Sequence, residues 1–407
     1  MLAICSLSDV DGDVLESFWT LRDHSLISVS ERQGKKRYRL LDTVREFLFL
    51  VSNDEPALMD AARQRHLKHF LFVANELHTN TRFPERSSLN QQLAQDFGNL
   101  RFAVDQAIAL EDSNAILEFA RTLAGLFGEL GLWPEFRRLT AAALSLPDIQ
   151  MHPQTLIHLM SRRAQLARRE GDEAEAQLLL ERLIVIGYQQ QDNYLVADSL
   201  FELANQARDM SEHKRSEELL RECISFCIRQ KFEGLHTNAL AFLAVLLFES
   251  GSMVQAEKIS TEAESRILAS DDPNTIVYSG IMLGRLYRQW GRLSSSRRFL
   301  CMAITSGLIG GNFISIAKCL LELAVVAEMD NDLVTAALAL QSADRLTATS
   351  SPDYQKPFRV ALSRFRRAYA DRPEIQQAFQ QSRRRSGKEL AAQLVGRRFS
   401  HVLDYVE

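Results

Sequence analysis

The sequence has 407 residues, of which 46% are hydrophobic and 25% charged, the composition of an ordinary globular protein with a sizeable core. Its formal net charge of -4 and pI near 6.2 argue against a strongly basic nucleic-acid-binding protein. No stretch approaches the roughly 18 uncharged apolar residues of a membrane-spanning helix. The brief apolar start, followed by Asp9, Asp11 and Asp13, is unlike a secretory signal. We therefore expect a cytoplasmic protein.

The cysteines are odd in number and show no CxxC spacing, which indicates reduced thiols rather than a disulfide framework. They are Cys5, Cys223, Cys227, Cys301 and Cys319. Cys223 and Cys227 are one helical turn apart and could ligate a metal, but no second pair or suitably spaced histidine accompanies them. We expect them to pack in a core, and we expect no metal and no cofactor.

The first 53 residues have the pattern of a partial winged-helix segment, a helix followed by a β-hairpin and a second helix. The expected elements are a helix over Asp13–Arg22, strands over Leu26–Ser30 and Arg37–Leu41, a turn at Gln33, Gly34 and Lys35, and a helix capped by Asp42 or Thr43. Glu46 is placed for a capping box on Thr43.

Residues 54–112 have the pattern of a helical hairpin that links this segment to the rest of the chain. Its helices are predicted from about Pro56 to Leu77 and from Leu89 to Ala109, with Pro84 in the polar loop between them.

A repeat of about 40 residues, a period typical of solenoid proteins, dominates the chain from 113 to 348. The tetratricopeptide template places small residues where two helices touch and a glycine at the turn, and it fits Leu283, Gly284, Tyr287, Gly291, Ser296, Leu300 and Ala303. The positions 40 residues before and after these carry the same types of residue, with no insertion or deletion between units. The turn position reads Gly131, Gly171, Ser211, Gly251, Gly291 and Asn331, all tolerant of a tight turn.

Six such units predict a mainly α protein, a TPR-like α-solenoid preceded by the small winged-helix segment. An irregular helical bundle is the alternative, but it would not keep register over six units. The unit exceeds the tetratricopeptide length of about 34 residues. The excess indicates either extra helical turns or longer loops.

The first helix of each pair should line the concave face of a solenoid, so the repeat also predicts which side chains face a groove. The candidate groove residues are His158, Gln165, Arg168, Asp198, Phe201, Asn205, Arg208, Asn238, Phe248, Tyr278, Arg285, Arg288 and Lys318. Four arginines beside amides and aromatics suit a carboxylate, a phosphate or an acidic peptide. A solvated helix face is the alternative interpretation.

Residues 349–407 are predicted to form C-terminal capping helices with many basic side chains. These are Arg364, Arg366, Arg367, Arg372, Arg383, Arg384, Arg385, Lys388, Arg397 and Arg398. They could touch nucleic acid or an acidic partner, but a solvated cap is favoured because terminal repeats need a polar outer face. His66 and His69 are interpreted as a solvated pair. No catalytic motif is found, so no catalytic residue is predicted.

Several segments outside the repeats resemble one family. "DHSLISVSERQGKKRYRLLDTVREFLFL" from Asp23 is similar to the winged-helix end of bacterial STAND/NB-ARC-type ATPase regulators of the LuxR and SARP-related kind. Arg65 and His66 before Phe70, "QDFGNLRFAV" from Gln95 and "GRRFSHVLDYV" from Gly396 resemble later segments of the same proteins. The resemblance implies repeats that sense an inducer or partner protein, behind an ATPase module that binds ATP.

The sequence departs from that family because it has no GxxxxGK[ST] loop: "SGKEL" at Ser386 carries Glu389 where a hydroxyl is needed. We therefore expect a non-catalytic sensing and protein-interaction module of a STAND-type bacterial transcription regulator. Its groove would bind a protein, a peptide or a small anionic effector, with the ATPase module in another chain. The alternative is a regulator that binds DNA directly through the winged-helix remnant and the basic tail, although nucleic-acid binding by this chain alone is not expected.

Overall fold

The computed structural model describes residues 14–32, 35–51, 56–79, 85–129, 132–348, 350 and 352–396. Positions named above that lie outside these ranges are Asp9, Asp11, Asp13, Cys5, Gln33, Gly34, Pro84, Gly131 and the segment from Arg397 onward. Most of the described chain is helical, and its strands form one two-stranded hairpin.

The described residues form two compact units, the first of which comprises those up to Thr79 together with 95–122. Its elements are α1 (Val14–Asp23), β1 (Ile27–Arg32), β2 (Lys35–Leu40), α2 (Asp42–Val51), α3 (Pro56–Thr79) and, from Gln95, α4 (Glu85–Ala109). The antiparallel pairing runs from Ile27 opposite Leu40 to Arg32 opposite Lys35.

Several boundaries here differ from the prediction by one or two residues. Both strands extend further toward the turn than expected, so that Lys35 begins β2, and α2 begins at Asp42, where Asp42 or Thr43 was expected as the cap. The strand ends are rich in charged residues, which are depleted in strands, so the pattern did not indicate them. Buried Phe18 packs edge-on against Tyr38, with ring centroids 4.8 Å apart, and so holds α1 against β2.

His66 and His69 are half-buried rather than solvated, because α3 packs them against phenylalanine rings. The His66 ring lies 4.6 Å from Phe70 and 5.2 Å from Phe102 on α4, and the His69 ring lies 5.0 Å from Phe70. Burial, with a smaller contribution from His69, lowers the pKa of His66.

Helix pairs occupy the chain from Ser113 to Leu346, and their helices begin at an even interval, for example at Asn193, His213, Glu233 and Met253. The first helices of the pairs are α5 (Ser113–Glu129), α7 (Pro153–Glu170), α9 (Asn193–Asp209), α11 (Glu233–Glu249), α13 (Pro273–Gln289) and α15 (Phe313–Met329). The second helices are α6 (Trp133–Leu144), α8 (Glu173–Gln190), α10 (His213–Gln230), α12 (Met253–Leu268), α14 (Leu293–Gly310) and α16 (Leu333–Leu346). The 40-residue helix-pair repeat is confirmed.

The extra length of the unit lies in the helices and not in the loops. Most of these helices have 17 or 18 residues, and in most turns only two or three residues separate one helix from the next. Gly171 and Asp172, for example, are the whole connection between α7 and α8.

Most turns share one hydrogen-bonding scheme that ends a helix, and in several of them the same residue also caps the next helix. In the α7–α8 turn the Asp172 N–H donates to the Ala167 carbonyl at 2.9 Å, a Schellman closure. The Asp172 carboxylate then accepts the Glu175 N–H at 3.0 Å as the N-cap of α8. Left-handed φ angles at Gly171, Ser211, Gly251, Gly291 and Asn331 match the predicted turn column.

Close helix contacts explain why small residues occupy the template position Gly284, where a Cβ would lie 2.7 Å from Leu300 Cδ2, and Gly280 one turn earlier. A Cβ on Gly280 would lie 2.9 Å from the Phe299 carbonyl oxygen of α14. Serines at the template's alanine position are buried but satisfied: Ser216 donates to the Ala204 carbonyl at 2.7 Å, and Ser296 to the Gly284 carbonyl at 2.6 Å. The core therefore consists of continuous apolar layers between neighbouring helices.

The helical register continues beyond residue 348. Helix α17 (Pro352–Ala368) begins almost one full repeat after α15, and α18 (Pro373–Gln381) begins one full repeat after α16. The last described helix, α19 (Gly387–Val395), carries a capping box formed by Ser386 and Glu389.

Candidate functional site: a cavity inside the superhelix

The helix pairs of the second unit curve around an internal cavity of about 1010 Å³. Residues from the first helices α7, α9, α11, α13 and α15 form most of its wall, as the solenoid prediction required. Helices α6 and α17 supply the rest. The volume is at the upper end of the roughly 300–1,000 Å³ range of small-molecule sites.

The curvature is tight enough to bring the two ends of this wall together. The ring of Trp133, at the start of α6, lies 6.3 Å from the ring of Tyr354 in α17. The Arg169 guanidinium of α7 lies over both rings, 4.6 Å from the Trp133 centroid and 5.4 Å from that of Tyr354. Cation–π contact of this kind contributes about 0.5–2 kcal/mol. We call this contact the closure contact.

The predicted groove residues separate into two sets. Those that line the cavity are Gln165, Asp198, Phe201, Asn238, Tyr278, Arg285 and Lys318. Those that do not line it are His158, Arg168, Asn205, Arg208, Phe248 and Arg288. The second set packs between helices: Phe248, for example, lies edge-on to Trp290 with centroids 5.7 Å apart.

Carboxylates of the next repeat pair with all four predicted arginines. Arg168 lies 2.9 Å from Glu202, and Arg208 forms two hydrogen bonds to Glu249 of 2.8 and 2.6 Å. Glu322 is shared by Arg285 at 2.6 Å and Arg288 at 3.3 Å. These ion pairs connect neighbouring first helices. Anion binding by the four guanidiniums stays a prediction, and these three carboxylates would compete with the ligand for them.

Asn205 does not line the cavity but is hydrogen-bonded to two residues that do, Tyr278 and Phe201. The Tyr278 hydroxyl donates to Asn205 Oδ1 at 3.2 Å, and Asn205 Nδ2 donates to the Phe201 carbonyl at 3.0 Å. The Phe201 and Tyr278 rings lie 5.4 Å apart. Burial raises the pKa of Tyr278 well above its ordinary value, so its hydroxyl stays protonated.

Asp198 and Lys318 line the cavity, and neither forms an ion pair with another described residue. Burial, with a smaller contribution from the Glu202 charge, raises the pKa of Asp198 to about 7. Burial, together with the positive charges of Arg169, Arg285 and Arg168, lowers the pKa of Lys318 to about 8.

Sequence reasoning missed the closure contact. Trp133, Arg169 and Tyr354 are not among the predicted groove residues, and their meeting depends on the summed rotation of the intervening repeats. Glu202, Glu249 and Glu322 were also missed, although each follows its arginine by about one repeat, at separations of 34, 41 and 37 residues. That spacing is the signal that would have found them.

Intramolecular contacts involve much of the basic C-terminal stretch. Arg364 lies 3.0 Å from Glu328, Arg366 lies over the ring of Phe379, and Arg372 lies 3.7 Å from Glu374. The partners are a carboxylate of α15 and residues of α18, as expected for a cap that packs on the last repeat.

Cys223 and Cys227 are buried free thiols with sulfur atoms 3.9 Å apart, and the Cys223 thiol donates to the Ala197 carbonyl. Within the ranges that the structure describes, no group of three or more His, Cys, Asp or Glu side chains is arranged to hold a metal. Nor is any helix there long and apolar enough to cross a bilayer.

Solved helical repeat proteins are similar to the chain at low identity. A Rap protein complexed with competence and sporulation factor is 13% identical over 83% of this chain and 97% of that one, with a TM-score of 0.49. The apo quorum sensor NprR from B. thuringiensis is 13% identical over 88% of this chain and 100% of that one, with a TM-score of 0.41. A STAND protein with a tetratricopeptide repeat sensor from Pyrococcus horikoshii is 15% identical over 97% of this chain, with a TM-score of 0.40.

The chain spans 60% of the length of the P. horikoshii protein. No protein-family model and no curated protein matches the sequence. At these identities and TM-scores the similarity does not extend to function, and the assignment as a helical repeat protein is based on the chain's own helices and their regular interval.

Proposed function

We propose that this chain is a non-catalytic sensing and protein-interaction module whose internal cavity binds a short peptide in an extended conformation. The observation that carries the proposal is the cavity itself, a partly open site whose two ends the closure contact brings together. A cavity of about 1010 Å³ is too small for a folded domain but admits an extended peptide chain.

The wall has the hydrogen-bonding groups that an extended peptide requires. An extended backbone presents N–H and C=O groups that must find partners when they leave water. Gln165, Asn238 and Asn274 offer side-chain amides to the cavity. Ser279 donates to Asn238 Oδ1 at 2.8 Å, so the Asn238 amide nitrogen is the group left to donate to a ligand.

Apolar and aromatic side chains lie between these amides. Phe201, Val277, Ile281, Met282 and Leu321 line the same cavity. Apolar surface buried there would contribute about 25 cal/mol for each Å² removed from water, while the amides would fix the direction of the peptide. This combination of an apolar wall and few polar groups is typical of a specific ligand site.

The setting we propose is a STAND-type bacterial transcription regulator, with the ATPase module outside this sequence. Support comes from the segments that resemble that family, above all "RYRLLDTVREFLFL" from Arg37 and "QDFGNLRFAV" from Gln95. In this arrangement occupancy of the cavity would be the signal that the repeats pass to the rest of the regulator.

Selection from a library of random octapeptides against the immobilised chain tests the proposal. Ser315 lines the cavity, so Ser315→Trp should fill part of it, whereas Ser294 is exposed on α14 and Ser294→Trp serves as the matched control. Enriched peptides should bind the unmodified chain and Ser294→Trp equally and bind Ser315→Trp at least tenfold more weakly.

Urea unfolding of both variants shows that the comparison is made between folded proteins. The proposal would be overturned if no peptide were enriched, or if enriched peptides bound Ser315→Trp as tightly as they bind the control variant.

A further inference from the structure

The end of the cavity beside the closure contact carries more positive than negative charge. Arg285 and Arg288 share a single carboxylate, that of Glu322. Arg169 and Lys318 have no carboxylate within 4.0 Å among the described residues. Two cations at this end are therefore without a counter-ion from the part of the chain described.

Burial of such charges is unfavourable. A buried cation without a hydrogen-bonded anion costs several kcal/mol, and the cation–π contacts of Arg169 with Trp133 and Tyr354 offset only part of that cost. Lys318 lacks even this compensation, and the effect is visible in its lowered pKa, caused by burial and by the arginines around it. A ligand that supplies negative charge would compensate both.

We propose that Lys318 and Arg169 form an anion subsite at this end of the cavity, which binds a carboxylate or phosphate group of the ligand. The proposal rests on the proposed function, because it assigns one end of the ligand bound there. Charge-assisted hydrogen bonds from an ammonium and a guanidinium are roughly twice as strong as neutral ones. Arg285 lines the same cavity but is already bonded to Glu322, so its role would be secondary.

The two residues come from helices that are distant in sequence. Arg169 lies in the last turn of α7, and Lys318 lies in the second turn of α15. The subsite therefore exists only when the superhelix is closed, and an anion bound between the two helices would strengthen the closure contact.

Labelling with pyridoxal 5′-phosphate tests the subsite without knowledge of the natural ligand. The lysine amine attacks the aldehyde carbon, water leaves to give an imine, and borohydride reduces the imine to a stable secondary amine that mass spectrometry locates. Pyridoxal performs the same chemistry without the phosphate. Because the attacking amine is neutral, the ratio of the two labelling rates at one lysine reports phosphate binding by the cations beside that lysine, here Arg169, and it is independent of the amine's own pKa.

Lys318 should be labelled at least tenfold faster by the phosphate form than by pyridoxal. Lys258 is exposed on α12 and outside the cavity, so it should show a ratio near one. Arg169→Gln should remove most of the enhancement at Lys318, while Arg169→Lys should restore part of it. A ratio at Lys318 no larger than that at Lys258, or one that Arg169→Gln leaves unchanged, would overturn the subsite.

Protection experiments identify the source of the anion. If the ligand group is a carboxylate, selected peptides with a free C-terminal carboxylate should slow labelling of Lys318, whereas the same peptides with a C-terminal amide should not. If the ligand group is a phosphate, inorganic phosphate should slow the labelling. Labelling that neither slows would contradict a ligand-binding role. Peptide selection can succeed while this ratio fails, so the failure of the subsite is distinguishable from failure of the proposed function.

Discussion

The crossing of α13 and α14 at Gly280 provides a quantitative test of the packing. A Cβ at this position would lie 2.9 Å from the Phe299 carbonyl oxygen and 3.0 Å from the Ala303 Cβ. The oxygen belongs to the backbone of a buried helix and cannot rotate away, so the two helices must separate. Overpacking of this kind costs about 1–3 kcal/mol.

Gly280→Ala also gains helix propensity of about 1 kcal/mol, which opposes the clash. Gly310, at the end of α14 in the same helix pair, is a matched control because its added Cβ would meet only the Pro273 Cβ, at an ordinary 3.5 Å. We expect Gly310→Ala to be neutral or stabilising, and Gly280→Ala to be less stable than Gly310→Ala by about 1–3 kcal/mol.

Urea unfolding followed by helical circular dichroism measures this difference. The change in midpoint, multiplied by the common slope, gives the change in unfolding free energy if the slopes agree. A midpoint for Gly280→Ala at or above that of Gly310→Ala would refute the argument that the two backbones touch here.

Three further predictions concern the ion pairs, the buried carboxylate and the turns. A double-mutant cycle of Arg208→Met and Glu249→Gln should give a coupling of about 0.5–1 kcal/mol that shrinks at high salt, because both side chains are only partly exposed; zero coupling would contradict the interhelix role. Burial raises the pKa of Asp198 to about 7, so the folded state retains a proton that the unfolded state has released above about pH 4. Stability should therefore fall as pH rises from about 4 to 7, and Asp198→Asn should remove that fall. The melting temperatures of the variant and the parent should be similar near pH 4, and at pH 8 the variant should melt at the higher temperature. At the left-handed turns, Asn331→Gly should raise the urea midpoint slightly, and Gly291→Ala should lower the free energy of unfolding by about 1 kcal/mol. Changes of the opposite sign would show that the turns relax to other conformations.

The repeat was predictable because small residues recur at helix crossings every 40 residues, a spacing that an irregular helical bundle does not require. Close helix crossings admit only small side chains, so Gly284 and Ala204 mark the same contact in different units. The left-handed residues in the turns that join one helix pair to the next were not predictable. Gln191 and Lys231 adopt left-handed φ angles in these turns. The left-handed conformation costs a non-glycine residue only about 1–2 kcal/mol, so these positions do not require glycine and the residue type gives no sign of the turn.

The helices after residue 348 were not recognised as a continuation of the register, because arginines replace the small residues of the template. Arg364 falls where Ala324 lies one unit earlier, and it reaches Glu328 instead of packing closely. The site was predicted in part for a similar reason. Periodicity shows which side chains face inward, as for Lys318 and Asp198. To predict which carboxylate pairs with an inward-facing arginine, however, the distance between adjacent first helices must be known.

The closure contact also changes how the array should fold. In an open stack each repeat touches only its neighbours, so unfolding can begin at either end and progress along the chain. Trp133 and Tyr354 join the two ends of one superhelical turn, and each end therefore protects the other from fraying. Amide hydrogens of α6 and α17 should exchange together rather than independently. Trp133→Ala should release both ends at once, so that the amide hydrogens of α6 and α17 exchange faster together.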